Sequence, residues 1–255
     1  MNIRPLAEFP AALRRAISFV LLDIDDTVTT DGRLTAAAYS ALENLSAAGL
    51  RVIPVTGRPA GWCDLIARFW PVDAVIGENG AFYFRYDHDV RMMTRRFWQS
   101  DDERESARRR LAELGQTIVG AVPGARIAAD QPYRVADLAI DYAEDTGPLA
   151  PEDVDRIVAL MQAAGAAAKV SSIHVNGWFG DWDKLGMTRR LFAEQYGLDL
   201  DRNTVREQVA FIGDSPNDEP MFARFPNSVA VANIRPYLPR LASPPAYIAE
   251  AAAGA

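Results

Sequence analysis

The sequence predicts an α/β protein: a parallel sheet core with a separate α+β module inserted into it. Three observations lead there. Residues 17–22, Ile17-Ser18-Phe19-Val20-Leu21-Leu22, are a short apolar run that stops abruptly at Asp23-Ile24-Asp25-Asp26-Thr27. Such a run reads as a strand buried on both faces, as in the middle of a parallel sheet. Strand and helix signals alternate up to residue 77 and again after Lys184, the grammar of βαβ units with right-handed crossovers. Between those parts the alternation breaks into a hairpin-like pair and further strands, which need a sheet of their own.

The elements follow in order. Leu34, Ala38, Leu42 and Leu45 keep helical spacing over 34–49, with Thr35 as N-cap and Gly49 as the stop. A second strand covers 51–55 and ends at Thr56-Gly57-Arg58-Pro59; Pro59 suits the first turn of a helix running to about 70. A third strand, 73–77, closes two βαβ units. After Glu78-Asn79-Gly80, short strands are expected at 81–85 and 90–93 and a charged helix at 101–114. Residues 115–133 carry no clear period. A strand at 138–142, a helix at 151–164 with Val154, Ile157, Val158 and Met161 on one face, and a strand at 172–175 complete the insert. The core resumes with a helix at 185–196, a strand at 209–213, a helix at 219–224 and a strand at 228–231. The alanine-rich end, 249–255, is expected to be a short helix or frayed. The expected organisation is thus a Rossmann-like core at 1–81 and 181–255 with an inserted domain at 82–180.

Composition narrows the function. At 255 residues with a net charge of −7, the chain is a poor candidate for nucleic acid or an anionic membrane. Cys63 is the single cysteine, so an intrachain disulfide is impossible and a reducing compartment is the natural setting. No apolar run has the length of a membrane span, and residues 1–16 do not read as a signal peptide. A cytoplasmic protein is expected.

Four features fall at strand ends or helix starts: Asp23-x-Asp25-x-Thr27, Thr56-Gly57-Arg58, Lys184, and Asp214-x-x-x-Asp218. In open α/β sheets that is where ligands bind. Together, in this order, they resemble the haloacid dehalogenase (HAD) superfamily of phosphotransferases. The size and strand content of the insert resemble the C2B cap of its IIB subfamily. The resemblance implies a HAD fold and roles for particular residues. Asp23 matches the nucleophile that becomes an aspartyl phosphate, and the Asp25 side chain the general acid and base. Lys184 matches the lysine between nucleophile and phosphoryl group; it is one of only two lysines, with Lys169, and a compact ammonium fits there as a guanidinium does not. Asp23, the Asp25 backbone carbonyl and Asp214 match the ligands of Mg²⁺, with Asp218 as a direct or indirect helper. Thr56 and Gly57 match the grip on a phosphoryl oxygen. Asn217 is placed to orient Asp214 or the phosphate.

Other residues keep two readings open. Asn79 is either a hinge residue or a substrate contact, and Arg58 a surface ion-pair partner or a substrate contact. His174 and Asn176 alternate with Ile173 and Val175, so their polar face meets either substrate or water. Trp178, Phe179 and Trp182 read as hinge packing ahead of a sugar-stacking platform, Cys63 as a buried apolar residue, and Asp26 as a loop acid ahead of a ligand. The expected activity is Mg²⁺-dependent hydrolysis of a small phosphorylated metabolite, a sugar or sugar-like phosphate. A phosphomutase is the alternative; a receiver-type phospho-acceptor or a silent binding protein fits less well. The oligomeric state stays open between monomer and homodimer.

Overall fold

The computed structural model describes residues 3–254. A six-stranded sheet runs in the order Arg4–Pro5, Tyr247–Ile248, Asn227–Ala230, Val209–Gly213, Phe19–Leu22, Arg51–Pro54, with every pair parallel. Phe19–Leu22 lies between two neighbours and all four of its residues are buried. That burial is why the sequence there is continuously apolar rather than alternating. Helix Ala36–Ala47 starts where Thr35 accepts a hydrogen bond from the Ala38 backbone N–H (3.1 Å). Gly49 then turns the chain with φ +83°, a conformation that suits glycine. Helix Ala60–Phe69 follows Pro59.

Three expectations about the core change. The strand expected at 73–77 as a third parallel strand is shorter, Val75–Gly77, and keeps one parallel bridge, Val55–Ile76, with the Asp73 N–H also donating to Val52 O (2.9 Å). It pairs antiparallel with Phe82–Asp87, which pairs with Met92–Phe97. The cause is local: Glu78, Asn79 and Gly80 have φ of +44°, +55° and +106°, and fold the chain straight back. This sheet straddles the expected boundary at residue 82, and Tyr83 is buried among core residues such as Phe19 and Leu191. The strands Arg4–Pro5 and Tyr247–Ile248 had no sequence signal, being only two residues each. Residues 250–254 form no helix and are not loose. The Thr30 hydroxyl donates to Ala253 O (2.7 Å) and the Gly254 N–H to Thr27 O (3.0 Å), so tertiary bonds to the loop after the first strand outcompete the alanines' helix propensity.

The inserted module has an antiparallel sheet ordered Ala167–Val170, His174–Trp178, Leu138–Asp141, Arg126–Ile127. Helices Asp101–Ala121 and Pro151–Ala163 cover one face, burying Ile118, Ile157 and Met161 against Ile140 and Val175. The first helix begins with a Ser100–Glu103 capping box and runs seven residues past the expected end at 114. Gly115 does not stop it because its bare face packs on Leu138 and Ile127; an added Cβ would sit 3.1 Å from Leu138. The strand expected at 172–175 lies instead at His174–Trp178, and Ala167–Val170 was missed because it lacks alternation. Among the described residues no helix is long and apolar enough to cross a membrane.

Candidate active site

The site forms where the parallel sheet ends. Asp23 follows Phe19–Leu22, Thr56 follows Arg51–Pro54, and Asp214 follows Val209–Gly213. Adjacent parallel strands in register bring these three positions together. Lys184 opens helix Lys184–Tyr196 and reaches in from the side. Its Nζ donates to Asp23 Oδ1 (3.0 Å) and Asp218 Oδ1 (2.8 Å). Asp218 Oδ2 accepts the Asp214 backbone N–H (3.1 Å), and Gly213 makes room, since a Cβ there would meet Asp218 at 2.4 Å. The Thr27 hydroxyl donates to Asp214 Oδ1 (3.3 Å).

Carboxylate oxygens of Asp23, Asp214 and Asp218 lie within 4.8 Å of one another and all three residues are buried. One lysine cannot neutralise three acids. Burial pushes Asp23 up to about 7, with Lys184 pulling against it and Asp218 and Asp25 adding to it. Burial, then Asp23 and Asp218, push Asp214 up to about 9. Burial pulls the Lys184 ammonium down, but Asp218 and Asp23 outweigh it and hold the proton on. The surplus of oxygen donors and negative charge fits a hard divalent cation such as Mg²⁺.

Asp25 stands at the edge of this cluster and is gripped by Arg58, whose Nε and Nη2 both lie within 3.0 Å of its carboxylate. Arg58 is not the surface residue expected as one of its readings. It is 5% exposed, stacked against the Trp62 ring, because the cap folds over it. Thr56 is fully buried and its hydroxyl accepts the Arg58 backbone N–H (3.0 Å), shaping the turn through Gly57. Asn79 packs beside Gly57, where a Cβ would lie 3.2 Å from its Nδ2, and that amide nitrogen is buried with no hydrogen-bond partner among the described residues. The Asn217 carbonyl accepts the Ser215 hydroxyl (2.8 Å) at the rim.

The cap's polar strand face points into the cleft rather than to water. His174 and Asn176 are buried and line a space of about 20 Å³ together with Asp23, Asp25, Arg58 and Asp214. Asn176 Nδ2 donates to Asp137 (2.9 Å). Trp178 and Trp182 are buried and stacked, ring centroids 5.9 Å apart, at the return to the core. Cys63 is buried in the same cluster. Asp26 adopts φ +53° and its backbone N–H donates to the Thr29 hydroxyl (3.2 Å); it is a loop residue here.

Three further residues dock cap to core and follow no sequence spacing. Glu78 accepts backbone N–H groups from Ala60 in the core and from Val135, Ala136 and Asp137 in the cap (2.6–3.1 Å). Arg134 is clamped by Asp130 and Asp137 and donates to Gly57 O (2.9 Å). Glu144 lies 2.8 Å from Arg58 Nη2 and 2.9 Å from His174 Nε2. Arg134 and Asp137 sit in or next to the stretch without period, and Glu144 in a loop, so no spacing marks them. Glu78 precedes the legible Asn-Gly turn, and its place there was the one available hint.

A sequence model described as haloacid dehalogenase-like hydrolase matches residues 20–107 and 197–243. No curated protein matches the sequence significantly. Solved structures with the same fold include protein 0175 of Thermoplasma acidophilum, 22% identical, covering 93% of both chains with a TM-score of 0.69. The sucrose-phosphatase of Synechocystis, solved with sucrose and phosphate, is 14% identical, covers 92% of this chain and 93% of its own, and has a TM-score of 0.62. A sugar phosphatase of HAD subclass IIB is 15% identical over 91% of this chain and 93% of its own, with a TM-score of 0.59.

Proposed function

Because the chain belongs to the haloacid dehalogenase-like hydrolase family, we propose that it is a Mg²⁺-dependent phosphomonoesterase that acts on a small phosphorylated metabolite of the sugar or sugar-like class. The observation that carries the reading is Lys184 bridging Asp23 and Asp218 inside a buried cluster of three acids. Phosphoryl transfer needs positioning and charge neutralisation above all, and this cluster offers both at the end of a rigid strand.

In the first step an Asp23 oxygen attacks phosphorus and the P–O bond to the leaving group breaks. Asp25 passes a proton to the departing oxygen. In the second step Asp25 takes a proton from water as that water attacks the aspartyl phosphate, and phosphate leaves with Asp23 restored. Lys184 holds positive charge against the nucleophile and the phosphoryl oxygens. Thr56 and the Gly57 backbone shape the turn that receives a phosphoryl oxygen, and Asn217 borders it. Arg58 orients Asp25 by its two-pronged grip. Asp23, Asp214 and the Asp25 carbonyl would hold the cation, with Asp218 aligning Lys184 and the Asp214 backbone; bound there, Mg²⁺ supplies electrostatic stabilisation of phosphoryl charge. His174 and Asn176 in the cap face the leaving group.

The space of about 20 Å³ holds roughly one water. The described state is therefore closed, and substrate entry requires the cap to swing away, as gated hydrolases do. The reading is tested with Asp23→Asn, which should abolish Mg²⁺-dependent hydrolysis of p-nitrophenyl phosphate while the circular dichroism spectrum stays native. Retained turnover would remove Asp23 from the nucleophile's place.

A further inference from the structure

We propose that the substrate carries a carboxylate as well as its phosphoryl group, and that this carboxylate takes the place on Arg58 held in the closed state by Glu144 of the cap. The inference deepens the phosphomonoesterase reading and rests on it.

Arg58 is a buried cation with a donor to spare. Its Nε and Nη2 serve Asp25, and Nη2 also meets Glu144 Oε1 at 2.8 Å. Its Nη1 makes no hydrogen bond among the described residues; the Asp130 Oδ2 carboxylate oxygen is 3.7 Å away. A guanidinium binds carboxylates best through two parallel N–H···O bonds. Glu144 uses one nitrogen, so the fork is half used in a place where an unmade hydrogen bond is costly. A carboxylate arriving from within the cleft can take both nitrogens.

The second oxygen of Glu144 lies 2.9 Å from His174 Nε2, which is itself buried and lines the cleft. One carboxylate is thus held between a core arginine and a cap histidine, beside Asp25. Its holder is built to be exchanged. The loop that bears Glu144 is anchored at its base, where the Asp141 carboxylate accepts the N–H groups of Ala143, Glu144 and Asp145 (2.8–3.0 Å). The Glu144 side chain is 29% exposed, so it can turn outward while the loop stays. Opening the cap separates Arg58 from both Glu144 and His174. A substrate carboxylate and Glu144 cannot share one arginine that Asp25 already engages, because three carboxylates would then face a single guanidinium. Exchange keeps the local charge constant, which an uncharged hydroxyl in that place would not do.

A matched pair tests this. 3-Phosphoglycerate and glycerol 3-phosphate differ in one carboxylate against one hydroxymethyl group. Calorimetric titration of Asp23→Asn with each, in the presence of Mg²⁺, should show 3-phosphoglycerate binding about tenfold or more tightly, the worth of one charge-assisted pair. Adding Glu144→Gln should widen that ratio, and adding Arg58→Met should bring it close to one. Equal binding of the pair overturns the proposal. So does a Glu144→Gln change that weakens both ligands alike, which would make Glu144 a reader of substrate hydroxyls. Failure of the phosphomonoesterase reading shows elsewhere, as absence of Mg²⁺-dependent phosphate release from p-nitrophenyl phosphate by the unaltered protein, whatever the binding ratio.

Discussion

In the proposed reaction Asp23 attacks as an anion, yet its surroundings resist ionisation. Burial lifts it to about 7, and the same effect with Asp23 and Asp218 lifts Asp214 to about 9. The sign of the consequence follows from proton binding. The unfolded chain releases these protons near pH 4, whereas the folded, cation-free protein keeps them until higher pH, so its stability falls as pH rises from about 4 to about 9. A cation at the cluster offsets the repulsion that causes this. Thermal denaturation should therefore show a lower Tm at pH 9 than at pH 5 in EDTA, with Mg²⁺ recovering most of the difference; a Tm indifferent to both would contradict the charge argument. Asp25 is the second residue-level test. Asp25→Asn removes the proposed proton carrier and leaves the proposed nucleophile, so phosphoprotein should accumulate in rapid-quench experiments and turnover should fall by about a hundredfold or more.

The segment Glu78-Asn79-Gly80 joins core to cap and places Lys184 at the same time. Gly80 has φ +106°, and a Cβ there would lie 2.1 Å from the Asp183 carbonyl oxygen and 3.0 Å from the Lys184 nitrogen. The chain leaving the core and the chain returning to it pass in contact, and only glycine allows it. Gly80→Ala should shift the start of helix Lys184–Tyr196, costing about 3 kcal/mol in urea denaturation and most of the activity; a variant with native stability and turnover would show that Lys184 is positioned some other way. Glu78 works from two residues earlier. Its carboxylate satisfies N–H groups on both sides of the joint, so Glu78→Ala leaves several buried donors without acceptors. A loss of about 3 kcal/mol is expected, and increased hydrogen exchange confined to 134–138 would place the damage at the cap side.

At the scale of the molecule, the core supplies the groups proposed to react and the inserted module covers them. Glu144 is one of the links. Burial raises it, but the contacts with His174 and Arg58 win and hold it down to about 2. A depressed carboxyl contributes fully above its ordinary value near 4.5 and loses that contribution as pH falls towards 2. Cap closure should therefore loosen over that acid range, seen as a rising radius of gyration in small-angle scattering, and Glu144→Gln should flatten the profile. An unchanged profile in that variant would mean that Arg134 and Glu78 hold the cap without it.

The residues that do the proposed chemistry were legible because they are local. Asp23-x-Asp25, Thr56-Gly57-Arg58, Lys184 and Asp214-x-x-x-Asp218 follow apolar runs or open a helix, and parallel strands in register carry such endpoints to one place by geometry alone. The parallel core and the inserted module were legible for the same reason: hydrophobic period and turn residues act over a few neighbours. Tertiary structure decided the rest. It moved Val75–Gly77 into an antiparallel sheet, ran a helix past Gly115, and bound the C-terminal alanines to Thr27 and Thr30. It also turned Arg58 from a surface candidate into a buried clamp on Asp25. Glu78, Arg134 and Glu144 act between elements 57 to 86 residues distant from their partners Gly57, Arg58 and the 135–137 segment. A carboxylate that answers an N–H or a guanidinium so far along the chain obeys no spacing, so the reaction can be read from sequence while the closure over it comes only with the fold.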